Sequence, residues 1–288
     1  MSLLFTLLVG SLQFAAAQDK NLILQKDVPF VPGGGHDQQM DIFLPEVNHF
    51  PLVLFLHEGS LTSGDKNDTP YAAIGRNFAR HGIGFIAANY RLGPSHKWPA
   101  MAEDCAAAFA WMKRNAGEIH ADPGRLFILG HSSGALIAAI VSTDDKYLKQ
   151  FGCELSDIAG CIPMGTMLNP SYDTDSIPPR SLDSLWERFK KQEVYESLFE
   201  TAGLYRDADP SRHITKNAPP FLVLIAESEQ IQPPILEQAN RFALSMKRVN
   251  VDVQIQVLKS RKHMTAMEKM AEPEDPTLLQ IVEFVKNH

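Results

Sequence analysis

Apolar residues in this chain come in short unbroken runs, and the runs alternate with helix-length segments. Pro51-Leu52-Val53-Leu54-Phe55-Leu56, Leu126-Phe127-Ile128-Leu129 and Phe221-Leu222-Val223-Leu224-Ile225-Ala226 contain no polar position. A strand reads this way when both of its faces are covered. Val251 to Leu258 instead alternates apolar and polar side chains, the pattern of a strand with one wet face. Leu22–Phe30 and Gln39–Leu44 read as an antiparallel pair joined by Pro32-Gly33-Gly34-Gly35-His36, and Gly84–Asn89 reads as a further strand. Helices are predicted over Tyr71–Arg80, from about Pro99 to Ala116, and over Ala135–Val141. Asp122-Pro123-Gly124 reads as a turn ahead of the Leu126 strand. Strands alternating with helices predict an α/β fold, with a mainly parallel sheet covered on both faces.

The ends of these runs carry the candidate chemistry. Gly130-His131-Ser132-Ser133-Gly134 separates an apolar strand from an apolar helix. In that setting G-x-S-x-G describes a sharp turn that exposes a serine Oγ, with the next amide at a helix N-terminus. Candidate acids, Glu227 and Glu229, follow the Phe221 strand, and His263 follows the Val251 strand in an expected loop. Serine, acid and histidine each fall just past the C-terminal end of a strand, where open parallel sheets bind ligands. The triple glycine at 33–35 lacks the Gly-Lys-Ser/Thr ending of a phosphate loop and opens no helix, so it reads as a turn.

Several motifs together resemble the esterase/lipase branch of the α/β-hydrolases, the group of hormone-sensitive-lipase-like and bacterial feruloyl-esterase-like enzymes. They are His57-Glu58-Gly59-Ser60 with Ser63-Gly64-Asp65-Lys66, Asn89-Tyr90-Arg91-Leu92, Trp98-Pro99-Ala100 with Glu103-Asp104, the serine elbow, and Asp209 to His213 with Ala218-Pro219-Pro220. The resemblance implies an α/β-hydrolase fold with a small helical cap insert at about 165–207. It also implies a serine carboxylesterase that uses no metal or organic cofactor on a small-molecule ester. In that mechanism Ser132 attacks the acyl carbon, His263 is the base, and an acid orients the imidazole. Register against the family's Gly-Asp-x-Asp loop puts Glu229 on the triad position and Glu227 on the other acid, with Asp252 a third candidate. His213 matches a structural position of the family, and His131 is expected to pack away from the pocket. An arylformamidase-like amide hydrolase and an impaired hydrolase-fold binding protein are the alternative readings.

The oxyanion motif departs from the family's His-Gly-Gly-Gly. Amides of Gly59, Ser60 and Ser133 remain available as donors, but Glu58 brings a carboxylate. At ~5 Å from an oxyanion, with an effective dielectric near ~20, that charge would cost roughly 3 kcal/mol. Glu58 is therefore expected to turn away from the pocket or to pair with Lys66 or Arg91, and otherwise to depress activity.

Composition adds the rest. The 288 residues suit one α/β-hydrolase domain over 18–288, and the net charge of −7 argues against nucleic acid and anionic membrane surfaces as partners. No apolar stretch is long enough to span a membrane. Leu3 to Gly10 followed by Ala15-Ala16-Ala17 reads as a signal peptide over 1–17, implying a secreted or periplasmic enzyme. A homodimer is compatible with this reading. Of three cysteines, Cys105 reads as a buried small hydrophobe, while Cys153 and Cys161 are candidates for a disulfide. Within the insert, Leu182, Leu185, Trp186, Phe189, Tyr195, Leu198 and Phe199 fall near one helix face, an expected apolar wall over the serine.

Overall fold

The computed structural model describes residues 22–166, 168, 198–200, 202–230 and 233–288. The expected signal peptide and most of the expected cap, including its apolar positions from Leu182 to Tyr195, lie outside the described residues.

Among the described residues eight strands form one sheet. They are β1 (Leu22–Pro29), β2 (Gln39–Pro45), β3 (Phe50–Leu56), β4 (Gly84–Ala88), β5 (Ala121–His131), β6 (Gly160–Met164), β7 (Phe221–Ala226) and β8 (Val253–Leu258), in the order β1-β2-β4-β3-β5-β6-β7-β8. β2 pairs antiparallel with both β1 and β4, and every other pairing is parallel. The segment from Asp122 to Gly124, expected as a turn, lies inside β5; Gly124 N donates to Asp122 Oδ1 at 2.9 Å, so the turn chemistry survives as a local bend.

The central runs are continuous because each strand feeds two cores. Leu52, Leu54 and Leu56 of β3 pack on one face, with α2 (Ala100–Asn115), α3 (Ser133–Val141) and, further along the sheet, α7 (Pro233–Arg248). Val53 and Phe55 pack on the other, toward α1 (Tyr71–Arg80) and α9 (Pro276–Asn287). β5 and β7 divide in the same way: Ile128 and Val223 join the first core, Phe127 and Leu222 the second. β8 lies at the sheet edge, and its burial alternates as its sequence does. Shorter helices are α4 (Asp145–Lys149), α5 (Ala202–Asp207), α6 (Glu227–Gln230) and α8 (His263–Glu268).

Parallel register lines up the strand ends. Leu56 pairs with Gly130, His131 with Met164, Met164 with Leu224, and Ala226 with Leu258. Segments beginning at His57, Ser132, Gly165, Glu227 and Lys259 therefore all leave the sheet along one edge. All three cysteines are buried free thiols, so the candidate Cys153–Cys161 disulfide is not formed. Burial pushes all three thiols up, Cys161 to about 12, which leaves them protonated and inert. No helix among the described residues is long and apolar enough to cross a membrane.

Candidate active site

Ser132 sits at the apex between β5 and α3 with φ 52° and ψ −118°, a backbone conformation few side chains adopt. Its amide donates to Met164 O at 2.9 Å, which ties the turn to the end of β6. The flanking glycines are required by close approach. A Cβ at Gly134 would overlap Leu56 O and His57 O, and one at Gly130 would overlap Gly134 O. Gly-x-Ser-x-Gly here is thus the set of residues that lets helix α3 start against β3 while the serine stays half-exposed.

The acid and the imidazole meet as the chain order predicts. His263 Nδ1 lies 2.6 Å from Glu229 Oε1. Glu229, in α6 just past β7, is 5 % exposed in its side chain, and its Oε2 accepts from Ala226 N at 2.7 Å, so the carboxylate is fixed at both oxygens. The other two candidate acids do not meet His263. Glu227 accepts from Ser260 N at 2.8 Å and so braces the loop after β8. Asp252 precedes β8, at the opposite end of that strand from His263, and its side chain is exposed. His263 is not in a loop but is the first residue of α8, behind Lys262 as N-cap. Its side chain is 40 % exposed, and Gly165 packs flat against the pair: a Cβ there would meet His263 Nδ1 at 3.1 Å and Glu229 Oε1 at 3.2 Å. Ser132 adjoins the same place through its bond to Met164 O. The Ser132–His263 hydrogen bond is not made among the described residues, and such bonds commonly tighten only around a substrate.

Around the oxyanion motif the backbone keeps the conformations that glycines would favour. Gly59 has φ 121°, while Ser60 and Leu61 are left-handed at φ 56° and 65°, each non-glycine residue storing roughly 1 kcal/mol or more. The loop is braced from its own carbonyls. Gly59 O accepts from the amides of Thr62 and Ser63, both at 3.0 Å, and Tyr90 Oη donates to His57 O at 2.7 Å. Amides of Gly59, Ser60 and Ser133 have no backbone acceptor among the described residues, and Ser133 N heads the first turn of α3. Burial pushes His57 down, so its ring is neutral; it stacks on Tyr90 at 4.3 Å.

Glu58 is paired, but with neither expected cation. Lys66 is engaged by Asp27 and Asp41, at 2.6 and 2.7 Å, and Arg91 by Asp104 and Glu103. Glu58 Oε2 instead lies 3.1 Å from Nδ1 of His131, whose side chain is fully buried. Burial pushes the Glu58 carboxyl up, but the His131 ring and the Tyr71 hydroxyl facing it outweigh that and hold it down at about 2. His131 is also not a simple packing residue. Its Nε2 lies 3.1 Å from His263 O, and the two rings are 4.8 Å apart. His213 is structural as expected, its Nε2 donating to Asp207 O at 3.0 Å.

Among the described residues one group of three ligand-type side chains clusters outside this edge: Asp144, Asp207 and His213. Lys146 Nζ lies 2.8 Å from Asp144 and 2.6 Å from Asp207, so an ammonium already supplies the positive charge there.

Comparison with known proteins agrees with this architecture. The model of the alpha/beta hydrolase fold family Abhydrolase_3 matches residues 53–267. Two curated relatives, both from Mycobacterium tuberculosis, are named Esterase LipC and Esterase LipQ. LipC is 26% identical over 203 residues, covering 69% of this chain and 49% of the relative. LipQ is 28% identical over 225 residues, covering 76% and 52%. The chain thus spans about half the length of these relatives. Among solved structures, a truncated carbohydrate esterase from gut microbiota superposes with a TM-score of 0.71 at 15% identity, over 94% of this chain and 98% of that one. With its sheet order, its serine elbow and a family match from β3 to α8, the chain belongs to the alpha/beta hydrolase fold family.

Proposed function

We propose that the protein is a serine hydrolase of carboxylic esters, acting through an acyl-enzyme on Ser132. The observation that carries this reading is the 2.6 Å contact between His263 and a doubly held Glu229, on the same sheet edge as a serine in a strained elbow. Glu229 accepts from His263 Nδ1–H and so leaves Nε2 as the basic nitrogen. Ser132 Oγ attacks the acyl carbon as its proton passes to Nε2. The carbonyl oxygen becomes an oxyanion facing the amides of Gly59, Ser60 and Ser133, each such donor worth about 2.7–4 kcal/mol. Collapse expels the alkoxide, which takes the proton from Nε2. Water then repeats the sequence on the acyl-enzyme, releasing the acid and restoring the Ser132 hydroxyl. No step needs a metal or an organic cofactor. The esterase names of LipC and LipQ favour an ester over an amide substrate.

Residues 1–17 are proposed to be an export leader, which N-terminal sequencing of exported protein tests. The segment 165–207 is proposed to cover the site. Within its described part Leu198 and Phe199 are buried, and Phe199 packs 5.6 Å from Trp98.

The test is hydrolysis of a p-nitrophenyl ester series, acetate to decanoate, by the wild type and by Ser132→Ala. Turnover that falls at least ~10⁴-fold in the variant supports the reading. Cleavage of formamides in preference to esters would move it to the amide-hydrolase alternative. A folded wild type with no turnover of either class would leave a binding protein on a hydrolase fold.

A further inference from the structure

The geometry points to Glu58 and His131 as a positioning dyad that holds the His263 main chain, so that the glutamate in the oxyanion motif and the residue ahead of Ser132 act as one device. The inference rests on the triad reading above and adds two residues to it.

Proton inventory fixes the direction of the contacts. His263 O is a carbonyl and only accepts, so His131 Nε2 must carry a hydrogen and donate across the 3.1 Å. Nδ1 of the same ring faces Glu58 Oε2 at 3.1 Å, and one proton lies between them. Both nitrogens of the ring are therefore committed, and a fully buried imidazole cannot rotate without breaking both bonds. Glu58 is anchored in turn where the chain leaves β3, next to the amides of Gly59 and Ser60. His131 is the residue before Ser132. One short chain of contacts thus links the oxyanion loop, the elbow and the first residue of α8.

The consequence is specific to His263. Glu229 constrains Nδ1 of the catalytic ring but not the height of its Cα above the sheet. α8 is only six residues long and is capped by a lysine, so it has little intrinsic stability. A hydrogen bond to the carbonyl of its first residue fixes that height. A misplacement of ~1 Å at a reacting group costs about 100-fold in rate, so the dyad is expected to appear in kcat and not in KM. The arrangement also explains how a glutamate is tolerated in the oxyanion motif: its charge is engaged by the His131 ring.

The test uses the full-length protein with three substitutions: His131→Phe, Glu58→Ala and Glu58→Gln. His131→Phe keeps the ring volume and removes the donor, and it should lower kcat for p-nitrophenyl acetate about 100-fold with KM within about 2-fold. Glu58→Ala should lower it in the same direction. Glu58→Gln should restore kcat to within about 3-fold of wild type, because a carboxamide can also pair with Nδ1. In proton NMR, the low-field signal of the His263 Nδ1 proton held by Glu229 should broaden or vanish in His131→Phe and Glu58→Ala and persist in Glu58→Gln. This signal needs no turnover, so it reads the dyad even if ester hydrolysis is not the reaction. A folded His131→Phe with wild-type kcat, or with an unchanged NMR signal, overturns the proposal. Glu58→Gln as defective as Glu58→Ala overturns it too, and that pair decides the matter if His131→Phe fails to fold.

Discussion

Two glutamate–histidine pairs stand side by side at this sheet edge, and they differ in one respect. In the first, Glu229 holds Nδ1 of His263, whose side chain is 40 % exposed; no protein group engages Nε2 among the described residues. In the second, Glu58 holds Nδ1 of His131, whose side chain is fully buried and whose Nε2 is committed to a carbonyl. Residue types and the acid's end of the ring are the same. The pairs differ in whether a basic nitrogen remains to move a proton. An acid–imidazole contact alone therefore does not distinguish the two pairs; the unengaged nitrogen of the His263 ring does.

One substitution made at both sites should separate the two pairs most strongly. Glu229→Gln loses the acceptor that fixes the His263 tautomer, and kcat for p-nitrophenyl acetate should fall about 10⁴-fold. Glu58→Gln should fall no more than about 3-fold. Equal losses at the two positions would mean that both carboxylates are chemically engaged, and the distinction between the pairs would fail.

A second contrast is thermodynamic. The folded Glu58 carboxyl is held at about 2 against an ordinary 4.5. A group depressed in this way stabilises the fold above its unfolded value, and that contribution is lost as pH falls from about 4.5 toward 2. With the side chain 19 % exposed, the contribution is on the order of 3 kcal/mol. Urea denaturation at pH 5 and pH 3 should show wild type losing more stability than Glu58→Gln over that interval. Parallel losses would show that the pair contributes nothing to folding.

How much of this was legible in the sequence follows from where each signal is local. β3, β5 and β7 could be read because burial on both faces leaves no polar position, and the serine elbow because strand, turn and helix are contiguous. Chain order, once the strands are placed, proposes Ser132, Glu229 and His263 as one site, and the structure brings the last two into contact. The choice between Glu227 and Glu229 rests on resemblance; in the structure one braces Ser260 N and the other meets the imidazole. The Glu58–His131 pair left no local signal, because its members lie 73 residues apart and meet only through the Leu56–Gly130 register. Lys66 and Arg91 are the expected partners for Glu58 because they belong to the motifs Ser63-Gly64-Asp65-Lys66 and Asn89-Tyr90-Arg91-Leu92 that accompany it. Both are used elsewhere, Lys66 to tie β2 to the β1 bulge and Arg91 to hold α2. A helix as short as α8 is also invisible to periodicity, which hid the fact that His263 opens a helix.

The smallest expected effect tests how tightly the first pair is packed. Gly165, just past β6, has φ 66°, and its Cα faces the His263–Glu229 contact. Gly165→Ala would strain a left-handed backbone by about 1 kcal/mol. It would also put a methyl 3.1 Å from His263 Nδ1 and 3.2 Å from Glu229 Oε1, closer than ordinary packing. Glu229 is held by Ala226 N, so the imidazole is the partner that must yield, and it moves toward solvent. A displacement of a few tenths of an ångström should lower kcat roughly 10-fold with little change in KM. The same change should leave the His131–His263 carbonyl contact intact, since that bond is on the main chain of α8. Gly165→Ala combined with His131→Phe should therefore lower kcat by nearly the product of the two losses. A strongly sub-additive result would mean that ring and main chain move together, and that the two pairs form a single coupled unit.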